Sequence, residues 1–394
     1  MFHFFATSCL GEPLQEAEGG VPHDPEKSWE FLQDRLPGIA GTGPYRCLVR
    51  ASKLLYDFDG FPLDERRYHD LRERMTAAYG KEDWYIRALR KAGISAVVWA
   101  ASQHHLLSEQ EADFFLPTPN LDDFIRAYRT ECKARLEKKY RVRLQEFQDV
   151  ADLLTKTMSE CDGEGIPAFW MSYCTFRPLR VDGADKQDAD TAFHKPPDSI
   201  TPQEAKLFED HMIHRVTEQC AALNIPLQID TGAAPEMPFI EHGDPCQTTG
   251  LVAQHISTRF VFLHAAAPFV RHLGALAKTF RNIYIDGSTL AGQSPSAMQN
   301  AIGEWLELVP VAKILFWGGD SEHIERTVGS LILARESLCR MLCERVENGL
   351  FSEELAFDLV SKLLRDVPRR FFRVDEVRVR RQVWRKGDME SAIH

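Results

Sequence analysis

The sequence predicts an α/β fold, a (β/α)8 barrel of the TIM type, on three observations. Short apolar runs of about five residues alternate with longer stretches of helical period, the pattern of βα units on a parallel sheet. The later runs each finish in a polar residue, as strands do at the mouth of such a barrel. The phosphate-binding patterns GxGxxG and GxxxxGK[ST], which would favour an open nucleotide-binding sheet, are absent.

The elements follow in order. Residues 1–43 are rich in Gly, Pro and acidic residues and read as an irregular lead-in with one short helical stretch, Ser28–Leu36. Helices are expected over Pro44–Tyr56, Leu63–Tyr79 and Trp84–Lys91. Ala92-Gly93 stops the last of these, and Ile94–Ala100 is a partly β-branched apolar run, the form of a strand covered on both faces. The same order of helix, breaker and apolar run returns with Val150–Ser159 before Gly165–Met171, and with Thr201–Leu223 before Ile225–Asp230. It returns again with Pro245–His255 before Phe260–His264, Val270–Phe280 before Ile283–Asp286, and Ser294–Leu308 before Ile314–Asp320. Two helices, Ile324–Asn348 and Ser352–Leu364, complete the pattern. Six strands are clear, Tyr140–Leu144 is the candidate for a seventh, and no strand precedes Ile94. The organisation expected is a lead-in over 1–43, one barrel domain over 44–370 and a basic tail over 371–394.

Composition narrows the function classes. With 394 residues, a hydrophobic fraction of 44% and a charged fraction of 27%, the chain is that of a globular protein with a large core. Its formal charge of -11 leaves nucleic acid little to bind, because phosphate contacts need a basic surface. Only the C-terminal run with Arg373, Arg378, Arg380, Arg381 and Arg385 is basic, and a solvated or acid-facing helix accounts for it. Nine cysteines without a CxxC pair exclude a disulfide scaffold and the usual zinc-finger spacing. No apolar run spans a bilayer and Met1–Ala6 lacks the charge pattern of a secretory signal, so a cytoplasmic protein without membrane partners is expected.

The chemistry-bearing residues sit at consecutive strand ends: Asp230, His264, Asp286 and Asp320. A parallel barrel carries all such ends to one mouth. Imidazole and carboxylate together suit a divalent metal, zinc or manganese, and His264 with Asp320 is the leading pair. Asp320 can alternatively serve unliganded as general base, and the Gly318-Gly319 pair beside it permits close backbone approach. Asp230 is either a ligand or a local cap, and Asp286 reads as structural. Arg177 and Arg271 are candidates to orient a substrate carboxylate, each with an ordinary salt-bridge or helix-start alternative. His104-His105 follow the first clear strand, where one of the two can enter the mouth.

The runs Pro226–Gly232, Phe262–Pro268, Leu273–Phe280, Asn282–Asp286 with Ser294–Ala297, and Lys313–Ser321 resemble an amidohydrolase-related family. Within that superfamily of metal-dependent hydrolases the chain is similar to the branch of uronate-isomerase-like proteins and non-oxidative decarboxylases. The resemblance is good over about 220–370 and looser over about 44–220. It implies a distorted (β/α)8 barrel with a divalent metal held by an HxH pair on the first strand, a later His and an eighth-strand Asp. His264 then matches the sixth-strand His, Asp320 the eighth-strand Asp, and Asp230 stands where a fifth-strand His is usual. The HxH is missing, since His3 pairs with Phe5, and Ile94–Ala100 corresponds to the second strand. The barrel expected therefore lacks its first strand, and the segment 10–43 or a second copy of the chain covers the exposed edges. The implied activity is hydrolysis of a small, carboxylate-bearing organic molecule by His264 and Asp320 with Asp230 as third ligand. The alternatives are decarboxylation, isomerisation, or a non-catalytic ligand-binding barrel that has lost its metal.

Overall fold

A computed structural model describes residues 25–101, 109–233, 237, 239–321 and 323–391. The chain divides into two compact units, each assembled from separated segments. One comprises Met1–Ser95, Gly287–Glu307 and Phe316–Leu364, and the other Ala96–Asp286, Leu308–Leu315 and Arg365–His394.

The first unit is helical. Thr42 caps the helix Gly43–Tyr56 by accepting from the Tyr45 N–H, with Pro44 in the first turn where its missing N–H costs nothing. Cys47, Leu48, Ala51 and Leu55 form its buried face. The helix Ile324–Glu347 packs along it, burying Val328, Leu331, Ala334 and Leu338. The backbones meet closely: a side chain at Gly329 would lie 2.6 Å from the Cys47 carbonyl carbon, and one at Gly43 would lie 2.6 Å from that of Gln293. A second cluster joins Trp29, Leu32, Leu36 and Ile39 to Tyr45 and Tyr68. The lead-in is thus partly helical, over Pro25–Gln33 and Leu36–Ile39.

The second unit holds the barrel strands. They are β1 (Val97–Ala101), β2 (Phe115–Pro119), β3 (Phe169–Met171), β4 (Leu227–Ile229), β5 (Phe260–Phe262), β6 (Ile283–Asp286) and β7 (Ile314–Leu315). All neighbours pair in parallel, β1 with β2 and then β3 through β7 in sequence order. One isolated bridge, Asn120 to Trp170, joins the two sheets. Hydrogen bonds do not close the ring, yet side chains of β1, β2, β5, β6 and β7 (Val98, Leu116, Val261, Tyr284 and Leu315) belong to one apolar cluster. This is the α/β architecture of a distorted barrel. Among the described residues no strand precedes β1, so β4, β5 and β7 take fifth, sixth and eighth place when the first is left vacant.

The seventh strand is β2, and Tyr140–Leu144 is not a strand. Tyr140 ends the helix Thr130–Tyr140, and Arg141 turns left-handed at φ 55° to leave it. The two prolines of β2, Pro117 and Pro119, disguise it in the sequence and split the sheet. Proline brings no N–H to a ladder, so one side of β2 pairs with β1 while the other makes only the Asn120 bridge.

The expected basic tail is largely a packed helix, Val374–Ser391. Phe371, Phe372, Val374 and Val377 enter the barrel cluster. Gly165, Asn224 and Arg259, which precede β3, β4 and β5, meet Arg380, Arg373 and Phe371 respectively. The segment from Phe371 into this helix therefore covers the N-terminal ends of β3, β4 and β5. Among the described residues no helix is long and apolar enough to cross a membrane.

Candidate functional site

The strand ends of the barrel unit are laced together at β3, β4 and β5. The Asp230 N–H donates to the Met171 carbonyl at 3.0 Å, the Leu263 N–H to the Ile229 carbonyl at 3.0 Å, and the Thr231 hydroxyl to the Leu263 carbonyl at 2.5 Å. These bonds fix the Asp230 carboxylate. Its Oδ1 accepts from the Trp170 indole N–H at 3.0 Å and lies 3.2 Å from His264 Nε2. The two side chains keep 15% and 25% of their surface, enough for a small molecule to reach them.

Backbone strain marks the same place. His264, Ala265 and Ala266 follow one another at φ 64°, 55° and 49°, a left-handed run that costs residues with a Cβ about 1–3 kcal/mol each. The facing turn needs Gly232 at φ 78°, where a side chain would lie 2.7 Å from the Ala266 carbonyl carbon. Strain of this kind persists where the surroundings over-determine it, as they do at binding and catalytic sites.

The sequence did not reveal four members of this neighbourhood. Asp122 lies just past β2, and its carboxylate accepts from the Ser172 N–H at 3.0 Å, the Ser172 hydroxyl at 2.5 Å and the Asn120 amide at 3.0 Å. Burial pushes that carboxyl above the usual range; its hydrogen bonds pull it back, while the Asp230 charge adds to the rise. The Cys174 thiol is pushed up to about 12 by burial, with Asp230 and Asp122 adding to it. Asp122 was hidden because β2 itself was hidden, while Trp170 and Ser172 lie on or just past the expected strand β3 and carried no signal of their own. Asp286, at the end of β6, is buried and pairs with Leu315 in the ladder.

Arg177 is not open to a substrate. Its guanidinium is buried and donates to Glu209 at 3.2 Å, to Asp210 at 2.6 Å and to the Arg180 carbonyl at 2.6 Å. Lys206 pairs with Asp210 and Tyr128 donates to Glu209, so the expected carboxylate clamp is the centre of an internal ion network. The carboxylates it binds belong to the protein. Arg271 is exposed in the first turn of the helix Val270–Thr279, shortly after His264.

Asp320 belongs to the helical unit, on the turn after β7. It is exposed and left-handed at φ 38°. Beside it Gly319 is required, since a side chain there would lie 2.7 Å from Thr327 Cγ2. The half-buried Arg326 is the cation missed in the sequence. Burial holds its guanidinium below the usual range, and the charge of Asp320 opposes that fall. In the same unit Trp317 donates to Ser330 at 3.2 Å. His104-His105 lie outside the described residues, as do His3 and Phe5.

The His264–Asp230 pair fits one edge of a divalent metal's shell. Ligand atoms at bonds of about 2.0–2.1 Å in a tetrahedron stand roughly 3.3 Å apart, close to the 3.2 Å found. The indole donor on Asp230 is the outer-shell contact that orients such a ligand. Within the barrel unit these two supply half of the usual four positions.

The amidohydrolase family profile matches residues 183–374, which include Asp230, His264, Asp286 and Asp320. A curated relative, Protein fluG of Emericella nidulans, is 28% identical over 155 residues, 39% of this chain. The matched region spans 18% of that relative's length. Among solved structures, the uronate isomerase of Thermotoga maritima aligns with TM-score 0.75 at 15% identity, covering 94% of this chain and 87% of its own. Glucuronate isomerase of Caulobacter crescentus aligns with TM-score 0.75 at 14% identity, covering 95% and 85%. A protein described as a metal-dependent hydrolase from Lactobacillus casei aligns with TM-score 0.68 at 16% identity, covering 86% and 87%. At these identities the structural likeness speaks for the fold, and it is the profile match over the strand ends that carries the kinship. Residues 183–374 belong to the amidohydrolase-related superfamily.

Proposed function

We propose that the protein is a metal-dependent enzyme of the amidohydrolase type acting on a small, carboxylate-bearing organic molecule, with hydrolysis favoured over decarboxylation or isomerisation. The observation that carries this is the His264–Asp230 pair, 3.2 Å apart on a strained turn at the C-terminal ends of parallel strands. His264 and Asp230 are assigned to hold a divalent ion, zinc or manganese, and Asp320 is assigned as third donor from its sequence position after β7. When bound, such an ion polarises a carbonyl and lowers the pKa of its water to about 7.

The remaining chemistry falls to the chain's own groups. Trp170 keeps Asp230 turned toward His264. Asp320, with the cation of Arg326 close by, is suited to accept and return a proton. Arg271 supplies the exposed positive charge for a substrate carboxylate, the role Arg177 cannot fill. A cytoplasmic setting agrees with this reading. A ligand-binding barrel without catalysis is the second reading, favoured because Trp170, Asp230 and His264 already complete a hydrogen-bonded chain by themselves.

The test combines metal analysis with turnover on a panel of carboxylated amides, lactones, uronates and aromatic acids. The wild type is expected to lose activity on chelation and regain it with zinc or manganese. His264→Ala, Asp230→Asn and Asp320→Asn are each expected to lower both bound metal and rate, by roughly tenfold to a hundredfold or more in affinity. Equal metal content and equal rates across all four proteins would overturn the assignment.

A further inference from the structure

A second cluster of metal-ligand side chains lies outside the pair just described. Asp244, Cys246 and His272 bring a carboxylate oxygen, a thiol sulfur and a ring nitrogen within 4.8 Å of one another. The residues come from two segments: Asp244 and Cys246 from the 3-10 turn Pro245–Thr248 and its cap, and His272 from the first turn of Val270–Thr279. The first segment follows β4 and the second follows β5.

Each donor is held in place. Asp244 caps its turn by accepting from the Cys246 N–H at 3.0 Å, which fixes the carboxylate and brings the cysteine alongside. The turn is further braced by the buried Thr248 hydroxyl on the Pro245 carbonyl at 2.7 Å and by Thr249 on the Cys246 carbonyl at 2.5 Å. At its other end the Gly232 N–H donates to the Gly243 carbonyl at 2.9 Å. The His272 ring stacks on Phe269, centroids 5.6 Å apart and planes at 21°. The partners are therefore arranged before any ion arrives, which removes most of the ordering cost of binding.

The spacing suits coordination better than it suits a hydrogen bond. His272 Nδ1 and Asp244 Oδ1 stand 3.4 Å apart, long for a charge-assisted contact, which is normally about 2.7–2.9 Å. It matches the edge of roughly 3.3 Å between two ligands on a tetrahedral ion with bonds of about 2.0–2.1 Å. A set of one sulfur, one imidazole and one carboxylate is borderline-soft, the mixture that zinc takes in preference to magnesium or calcium. The other mixed cluster, Glu146, Asp190 and His194, carries no sulfur, is wholly exposed and spends both ring nitrogens on protein partners.

We propose that Asp244, Cys246 and His272 form a zinc site separate from the His264–Asp230 pair, with solvent in the fourth position. Binding displaces the thiol proton, leaving Cys246 as thiolate ligand. A zinc ion there links the segments that run on from Asp230 and His264, and so clips two turns of the mouth together. The assignment does not depend on the proposed reaction.

Cobalt titration of the metal-stripped, full-length protein tests it, because Cys246 is an exposed thiol while the Cys174 thiol near Asp230 is buried, and the Cys246 variant tells the two apart. The wild type is expected to develop a thiolate-to-cobalt charge-transfer band that one equivalent of zinc abolishes. Cys246→Ser is expected to remove the band and His272→Ala to weaken cobalt binding roughly a hundredfold. His264→Ala is expected to leave the band intact. Zinc is also expected to shield Cys246 from alkylation in the wild type, read by mass spectrometry, and not in His272→Ala. Both cluster residues are exposed, so the variants keep their fold, which circular dichroism verifies. Absence of the band in the wild type, or its survival in Cys246→Ser, would overturn the site whatever the enzyme assays show.

Discussion

Arg177 shows how far a single residue can depart from its sequence reading. An arginine beyond an apolar strand in an enzyme-like barrel invites a substrate carboxylate, but Glu209 and Asp210 are the carboxylates it meets, with 8% and 0% of their side chains exposed. Removing one partner of a buried pair strands the others, so Arg177→Ala is expected to cost about 3–5 kcal/mol in urea unfolding. A variant of wild-type stability with only a raised KM would restore the clamp. Asp230, His264 and Asp286 were legible because each closes an apolar run, at or just past the end of β4, β5 or β6, while Asp320 lies further on, beyond Gly318-Gly319. Asp244, Cys246 and His272 were not, since 26 positions separate Cys246 from His272 and only the packing of a turn on a helix joins them. Arg326 was equally silent, one arginine in a helix until its neighbour Asp320 is seen.

Among the elements, the helix Ile324–Glu347 carries the clearest pH signature. Glu325, in its first turn, is fully buried and accepts from the hydroxyls of Tyr56 and of Tyr79, the latter at 2.9 Å. Burial raises its carboxyl above the ordinary 4.5, against the pull of both tyrosines. A folded-state value above the unfolded one means that folding favours the protonated form. The contribution is full below about pH 4.5 and is lost as pH climbs through the folded value. Glu325→Gln lacks this dependence, so its stability relative to wild type is expected to rise between pH 5 and pH 8. A constant difference in urea midpoints over that range would refute it. Helix bounds agree closely with the apolar periodicity, as for Trp84–Lys91, because amphipathic burial and helical period coincide there. The strands are shorter than the apolar runs that announce them: Ile225–Asp230 contracts to Leu227–Ile229, with Ile225 buried ahead of the strand and Asp230 making one more backbone bond past its end.

At the scale of the whole molecule, the C-terminal helix is part of the barrel's core. Its arginines meet acidic groups of the same unit, Arg380 with Asp162 at 2.9 Å and Arg385 with Asp113 at 2.8 Å, which explains a basic run in a chain of charge -11. Phe371 lies between Tyr284 and Arg259, at 4.5 Å and 5.2 Å. Phe371 leads into that helix, and Phe371→Ala is expected to cost about 3–5 kcal/mol by thermal or urea unfolding; a loss under about 1 kcal/mol would show that its packing is dispensable.

The two prolines of β2 have one more consequence. Among the described residues Asn120 makes the one backbone bridge between the leaf of two strands and the leaf of five, with the Asp122–Ser172 bonds beside it, so the seam between them is held by few bonds. Amide exchange is accordingly expected to divide the barrel into two kinetic blocks, β3 through β7 protected together and β1 with β2 released earlier. Asp122 and Trp170 stand on opposite banks of that seam, so opening it parts the carboxyl cluster without disturbing the ladder that carries Asp230 and His264.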